Sequence, residues 1–283
     1  MDKKTVVFFK KNFPGLFAWV VRSPWLAEIV SELDRVRYIY CLMSQKPYFG
    51  TVALAGQTWE ERKPYMRRLL QKEIKDKEYF YLLEIGSWAG DSAVLWADTI
   101  KFAGKKGMVL CVDPWEPYID EQQEKVNSAT IIMNKALKRG SVFKLFLHNI
   151  QTSHHSDVIC PLKGYSERVL PLLRRGIFNM VYIDGDHSYS GIKKDLYNAA
   201  KLIGEGGIIA GDDFDGSLVN IDRDYAEEHK EVNMVVDPKT KQTYHPGVCL
   251  AVSEFFGTDI SSYCGFWAMR KVGDQWHKVK IDP

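Results

Sequence analysis

The chain has 283 residues, 46% of them hydrophobic and 26% charged, with a formal net charge of +2. These values are ordinary for a soluble globular protein of one large domain or two small ones, and no basic run interleaved with aromatics marks a nucleic-acid surface. Cys41, Cys111, Cys160, Cys249 and Cys264 are odd in number and scattered, without CxxC or Cys/His spacing, and read as free thiols in a reducing cytoplasm.

The N-terminal stretch "MDKKTVVFFKKNFPGLFAWVVRSPWL" is broken by Lys10, Lys11, Pro14 and Gly15. Its longest uncharged run, Asn12 to Val21, is too short to span a bilayer, and no small-residue cleavage site follows. A docking helix is expected there, and contact with a membrane surface is the weaker reading. Leu26, Ile29, Val30, Leu33, Val36 and Ile39 recur near helical spacing. Thr58 followed by Glu61 predicts a capping box opening a second helix, with its charged face solvated. Residues 1–78 are therefore read as a helical extension, a lid, an acceptor-binding surface or an oligomerisation element.

From Tyr79 short apolar runs alternate with helical patterns: "YFYLLEIG", "GMVLCVD", "SDVICPLKG", "FNMVYIDGD" and "GGIIAGDD", the first four each followed by a helix. This order predicts an α/β domain over residues 79–283, a mostly parallel sheet with helices on both faces. A long polar segment over about 214–245 follows, then a helix through "GVCLAVSEFFG" and a hairpin turning near Gly273-Asp274.

Ligands of such sheets bind beyond the carboxyl ends of the strands. The first end gives Glu84, Gly86, Ser87, Trp88, Gly90 and Ser92, where glycine lets backbone approach a ligand closely or merely allows a sharp turn. The second gives Asp113 and Trp115; an acid there suits a ribose diol, the alternative being an Asp-Pro turn. Gly164 and Ser166 end the third, a place where a small residue leaves room for a flat ring. Asp184, Asp186 and His187 end the fourth, and Asp212, Asp213 and Asp215 end the fifth. Asp184, Asp212 and Asp213 on neighbouring strands would repel unless a cation compensated, which points to Mg²⁺ first and Mn²⁺ or Ca²⁺ next. The plainer alternative is that these acids cap helices or face solvent separately.

In this order, Glu84-Ile-Gly-Ser-Trp-Ala-Gly90, Asp113, Asp184-Gly-Asp186-His187 and Gly211-Asp212-Asp213 resemble class I S-adenosylmethionine-dependent methyltransferases. Among these the chain looks most like the metal-dependent O-methyltransferases of natural-product sugars and phenols. The resemblance runs from about Tyr79 to Lys271 and implies a Rossmann-like, seven-stranded sheet. It implies S-adenosylmethionine held by Glu84, Gly86 and Ser87 at its amino-acid end, by Asp113 on the ribose and by Ser166 near the adenine. Trp88, Gly90, Ser92, Trp115, Gly164 and Asp184 flank that cofactor, although core packing is an equal reading for the two tryptophans. The family's metal ligands fall on Asp184, Asp212 and Asp213. Catechol-type relatives carry Asn where Asp213 stands, which inclines the acceptor towards a saccharide. His187 is the first candidate base, with Asp186 and Asp215 as alternatives, and a second reading leaves His187 orienting a carboxylate. His154, His155 and His245 read as loop residues, with His245 a further acceptor contact. A homo-oligomer is expected, since relatives assemble. Two other functions stay open: a hydroxylase-like enzyme on this fold, and a non-catalytic cofactor-fold subunit acting through residues 1–78.

Overall fold

A computed structural model describes residues 24–117, 128–216 and 218–281. The chain divides into two compact units: Met1–Glu60, Trp88–Asp91 and Trp115–His155 form one, and Glu61–Ser87, Ser92–Pro114 and Ser156–Pro283 the other. In chain order the helices are α1 (Pro24–Met43), α2 (Lys63–Glu73), α3 (Asp91–Phe102), α4 (Ser128–Lys138), α5 (Ser141–Thr152), α6 (Ser166–Val169), α7 (Tyr189–Leu202), α8 (Arg223–Glu228) and α9 (Pro246–Phe256).

The second unit carries the sheet. Strands β1 (Tyr79–Ile85), β2 (Lys106–Asp113), β3 (Ile159–Lys163), β4 (Phe178–Ile183) and β5 (Ile203–Gly211) all pair in parallel. Short β6 (Val235–Val236) and β7 (Thr243–Tyr244) pair apart from them. The chain then adds β8 (Ser262–Tyr263), β9 (Phe266–Val272) and β10 (Gln275–Lys278), all antiparallel, with β9 against β5. Across the sheet the order is β10-β9-β5-β4-β1-β2-β3, so the expected seven strands form one continuous path and β8 makes an eighth off it. The order reverses beside β1, the switch point at which such sheets open a crevice beyond their carboxyl ends.

Residues Leu82 to Ile85 of β1 and Met180 to Ile183 of β4 are buried without alternation, as expected for central strands covered on both faces. The side chains of Leu83, Ile85, Val181 and Ile183 join Leu196 and Leu202 of α7, Val248 and Val252 of α9 and Trp267 of β9 in one core. Helix α7 begins where the Gly191 amide donates to the Ser188 hydroxyl at 3.1 Å, and α8 where the Tyr225 amide donates to Asp222 at 3.1 Å. The predicted terminal hairpin forms, with Gly273 in the left-handed conformation its turn requires.

In the first unit, Asp34 of α1 accepts from the Tyr48 hydroxyl and from the amide and hydroxyl of Thr51, all at 2.6 Å. Asn149 of α5 donates to the carbonyls of Tyr48 and Ala89 at 2.9 Å. These bonds surround a small core of Cys41, Tyr48, Ala55, Ala89 and Leu145.

Several expectations are corrected. No capping box forms at Thr58: α2 starts at Lys63, with Arg62 as its cap residue and Pro64 in the first turn. The helix expected over "SERVLPLLRRG" shrinks to one turn, α6, followed by a 3-10 turn carrying Pro171, which cannot donate a helical hydrogen bond. Helix α5 was missed between the second and third strands. On α1 the apolar positions Leu33, Val36 and Ile39 face outward. The docking helix expected before residue 24 and the opening of the helix expected near 120 lie outside the described residues. Among the described residues no helix is long and apolar enough to cross a membrane.

Candidate functional site

At the end of β1, Glu84 is fully buried. Its Oε2 accepts from the Ser87 hydroxyl at 2.8 Å, whereas Oε1 has no hydrogen-bond partner among the described residues. Burial pushes its pKa up to about 7, against hydrogen bonds from Ser92 and Ser87 that favour the charged form. Gly86 follows with φ +81°, and a side chain there would run into the backbone carbonyl of Asp184. The Ser87 amide donates to Asp113 Oδ2 at 2.9 Å, tying the glycine turn to the end of β2. The Gly164 amide donates to the Asp113 carbonyl at 3.0 Å, which brings the end of β3 alongside. Trp88, Gly90 and Trp115 belong to the first unit. There Trp115 donates to the Trp88 carbonyl at 2.8 Å and packs between Phe143 and Phe146, so core packing accounts for it.

Ser166 opens α6 and hydrogen-bonds Asp195 of α7, a buried carboxylate whose Oδ1 has no partner among the described residues. Burial pushes the Asp195 pKa up to about 7, above the roughly 3.9 of an unfolded chain. The folded state therefore holds this proton more tightly, and stability falls as pH rises from about 4 to about 7. Asp195→Asn should raise the melting temperature by several degrees at pH 8, roughly 2–4 kcal/mol, and change it little at pH 4. Thermal melts at the two pH values check this.

Beyond β4 and β5 the acids converge. Asp212 is buried and Asp184 and Asp213 are half-buried. The Tyr182 hydroxyl, two residues before Asp184 and so on the same side of β4, donates to Asp212 Oδ2 at 3.2 Å and lies 3.4 Å from Asp184 Oδ2. Burial, then Asp212 and Asp213, hold the Asp184 carboxyl well above its ordinary pKa. Asp212 is pushed up to about 6, burial and Asp213 outweighing the opposing pull of Arg62. Although burial opposes it, His187 together with His245 and Arg62 holds Asp213 well below the usual carboxylate range.

The cation on these acids is Arg62, 4% exposed, whose Nη1 touches Asp212 Oδ1 and lies 3.4 Å from Asp213 Oδ1. Its Nε donates to the Cys264 carbonyl at 3.0 Å. The expected solvated face of this stretch thus holds for Arg67, Arg68 and Lys72 but not for Arg62. Among the described residues, one group of three metal-ligating side chains has its donor atoms all within 4.8 Å: His187, Asp213 and His245.

His187 places both ring nitrogens on oxygens, Nε2 at 3.1 Å from Asp213 Oδ2 and Nδ1 at 2.6 Å from Asn233 Oδ1. Despite burial, the bond to Asp213 raises its pKa to about 10. His187 is thus fastened between Asp213 and Asn233. Asp186 accepts from the Ser188 amide and hydroxyl at 2.9 Å and serves the turn into α7. Asp215 keeps a place beside the cluster, its Oδ2 3.0 Å from Nδ1 of His245. His245 precedes α9, its ring centroid 4.8 Å from that of His187.

A family model described as a methyltransferase domain matches residues 83–214, a span that contains Glu84, Asp113, Asp184, Asp212 and Asp213. Over these residues the chain is similar to that methyltransferase domain. The chain shares its fold with the O-methyltransferase NovP, at 16% identity over 75% of this chain and 80% of that one, TM-score 0.52. It is also similar to an O-methyltransferase from Bacillus cereus in complex with SAH (12% identity, 95% and 97% covered, TM-score 0.47). Cofactor-bound Rv0187 from MTB is matched at 17% identity over 64% of this chain, TM-score 0.36, and the chain spans about 65% of that protein's length. None of the curated proteins matches it.

Three residues of this site, Arg62, Tyr182 and Asn233, carry no signal that the sequence reading picked up. Tyr182 was open to inference from strand alternation. Arg62 lies about 150 residues from its acids, and no local pattern announces it. The residues present suit the cofactor, since the unpartnered Glu84 Oε1 is an acceptor for an ammonium group. Asp184, Asp212 and Asp213 offer the all-oxygen donors a divalent ion takes, two of them already on the Arg62 cation, whereas the three donor atoms that lie within 4.8 Å of one another are those of His187, Asp213 and His245.

Proposed function

We propose that the protein moves a methyl group from S-adenosylmethionine to a hydroxyl oxygen of a small acceptor, a saccharide or phenol, beside a divalent ion on Asp184, Asp212 and Asp213. The observation that carries this reading is the set of three carboxylates at two adjacent strand ends, two of them already drawn onto a cation. The name of NovP as an O-methyltransferase supports oxygen as the acceptor atom. Asp at position 213 supports the saccharide class. Mg²⁺ is the first candidate ion and Mn²⁺ or Ca²⁺ the next, because the donor set is all oxygen.

When bound, such an ion lowers the pKa of an acceptor hydroxyl and fixes its direction. Glu84 receives the cofactor's ammonium, Asp113 its ribose and Ser166 the region of its adenine. The acceptor oxygen forms its bond to the methyl carbon as the carbon–sulfur bond breaks, and the hydroxyl proton leaves. We assign that proton to Nε2 of His245, because Asp215 takes the Nδ1–H and orients the ring. His245→Ala is expected to lower kcat by about 10²-fold or more, and His187→Ala by less. Steady-state rates of the two variants check the order.

Residues 1–78 are assigned to acceptor binding or to assembly of a homo-oligomer. The five cysteines, all free, support a reducing cytoplasm. The reading is tested by incubating the protein with S-adenosylmethionine and a panel of polyhydroxylated and phenolic acceptors. A product heavier by one CH₂, lost with chelator and restored by Mg²⁺, is the expected outcome; methylation indifferent to chelator removes the metal.

A further inference from the structure

Arg62 lies on two of the three carboxylates of the proposed metal site. Its guanidinium touches Asp212 Oδ1, reaches Asp213 Oδ1 at 3.4 Å and is held from behind by the Cys264 carbonyl at 3.0 Å. The side chain is 4% exposed, so this is an internal ion pair and not a surface contact. Mg²⁺ takes carboxylate oxygens at about 2.0–2.1 Å, which leaves no room for a guanidinium on the same lone pairs. Two cations on one oxygen pair would also repel strongly at low dielectric. The backbone at Arg62 is tied separately, its carbonyl accepting from the amides of Tyr65 and Met66 at 3.0 and 3.1 Å. The side chain therefore leaves the acids without unwinding α2.

We propose that Arg62 is a built-in competitor of the divalent ion: guanidinium and metal take the same Asp212 and Asp213 oxygens, one at a time. Without metal, Arg62 keeps the Asp212 and Asp213 carboxylates compensated; with metal, it withdraws. The inference rests on the metal reading given above, deepens it, and assigns Arg62 a regulatory place at that site.

The test is calorimetric titration of Mg²⁺ and Mn²⁺ into the unmodified chain, Arg62→Gln and Arg62→Lys, with thermal melts alongside. Arg62→Gln is expected to bind either ion at least tenfold more tightly than the unmodified chain, and its melting temperature to rise more on adding Mg²⁺. Arg62→Lys should fall between them, since an ammonium keeps the charge but lacks the Nε–H that holds the guanidinium on the Cys264 carbonyl. Removing the buried cation costs stability, so the unmodified chain supplies a second measurement. Its Arg62 Nε–H resonance should shift with Mg²⁺ in step with calorimetric saturation. Metal binding of equal strength in all three chains, or a resonance that stays put while metal binds, overturns the competition and leaves the metal reading standing. Absence of metal binding in all three chains overturns both.

Discussion

Asp212→Asn is expected to lower methyl-transfer turnover by about 10³-fold or more, some 4 kcal/mol on the barrier, with S-adenosylmethionine affinity unchanged within about threefold. Asp212 stands at the centre of the acid cluster: Arg62, the Tyr182 hydroxyl and the Asp213 amide all turn towards its carboxylate. Asn keeps the shape but removes one unit of charge and one anionic ligand. Glu84 and Asp113, the residues assigned to the cofactor, lie at the ends of other strands and are tied to each other through Ser87. The substitution should therefore separate chemistry from cofactor binding. Single-turnover rates with calorimetric affinities check this; turnover within tenfold of the unmodified chain would show that methyl transfer does not depend on these acids.

Glu84→Gln is expected to weaken S-adenosylmethionine binding by about 10–100-fold, 1.4–2.7 kcal/mol, since a charge-assisted hydrogen bond to the ammonium is lost. The same change should make the cofactor-free chain more stable above pH 7. Burial raises the Glu84 pKa to about 7 from about 4.3 in an unfolded chain, so the folded state holds the proton more tightly between those values. Stability therefore falls as pH rises from about 4 to about 7, and an uncharged amide removes that loss. Weaker binding together with a higher melting temperature at pH 8 is a pair of opposite signs. A purely structural role for Glu84 would move both downwards.

Much of this architecture was legible in the sequence because parallel strands write themselves as short apolar runs. The ends of β1, β2, β4 and β5 could be placed to within a residue or two, and with them Glu84, Asp113, Asp184 and Asp212. What a strand end faces is harder to read. Asp186 and His187 stand beside Asp184 in sequence, yet one folds back onto Ser188 and the other is fastened between Asp213 and Asn233. Those outcomes depend on partners 2 to 46 residues away. Arg62 lies further still, in a stretch whose charge pattern suits a solvated helix. A single buried guanidinium among exposed basic residues leaves no periodicity to detect. Helix α5 was missed for a local reason, as it opens at Gly140, two residues after α4 ends at Lys138. Pro171 had the opposite effect, cutting short a helix that composition alone favoured.

Direct titration of S-adenosylmethionine into the unmodified chain, with and without Mg²⁺, tests the central claim most closely. One site per chain with a Kd of about 1–100 μM is the predicted result, weakened in Glu84→Gln and unchanged in Asp212→Asn. Absence of binding under both conditions, in a chain that melts cooperatively, would contradict the account.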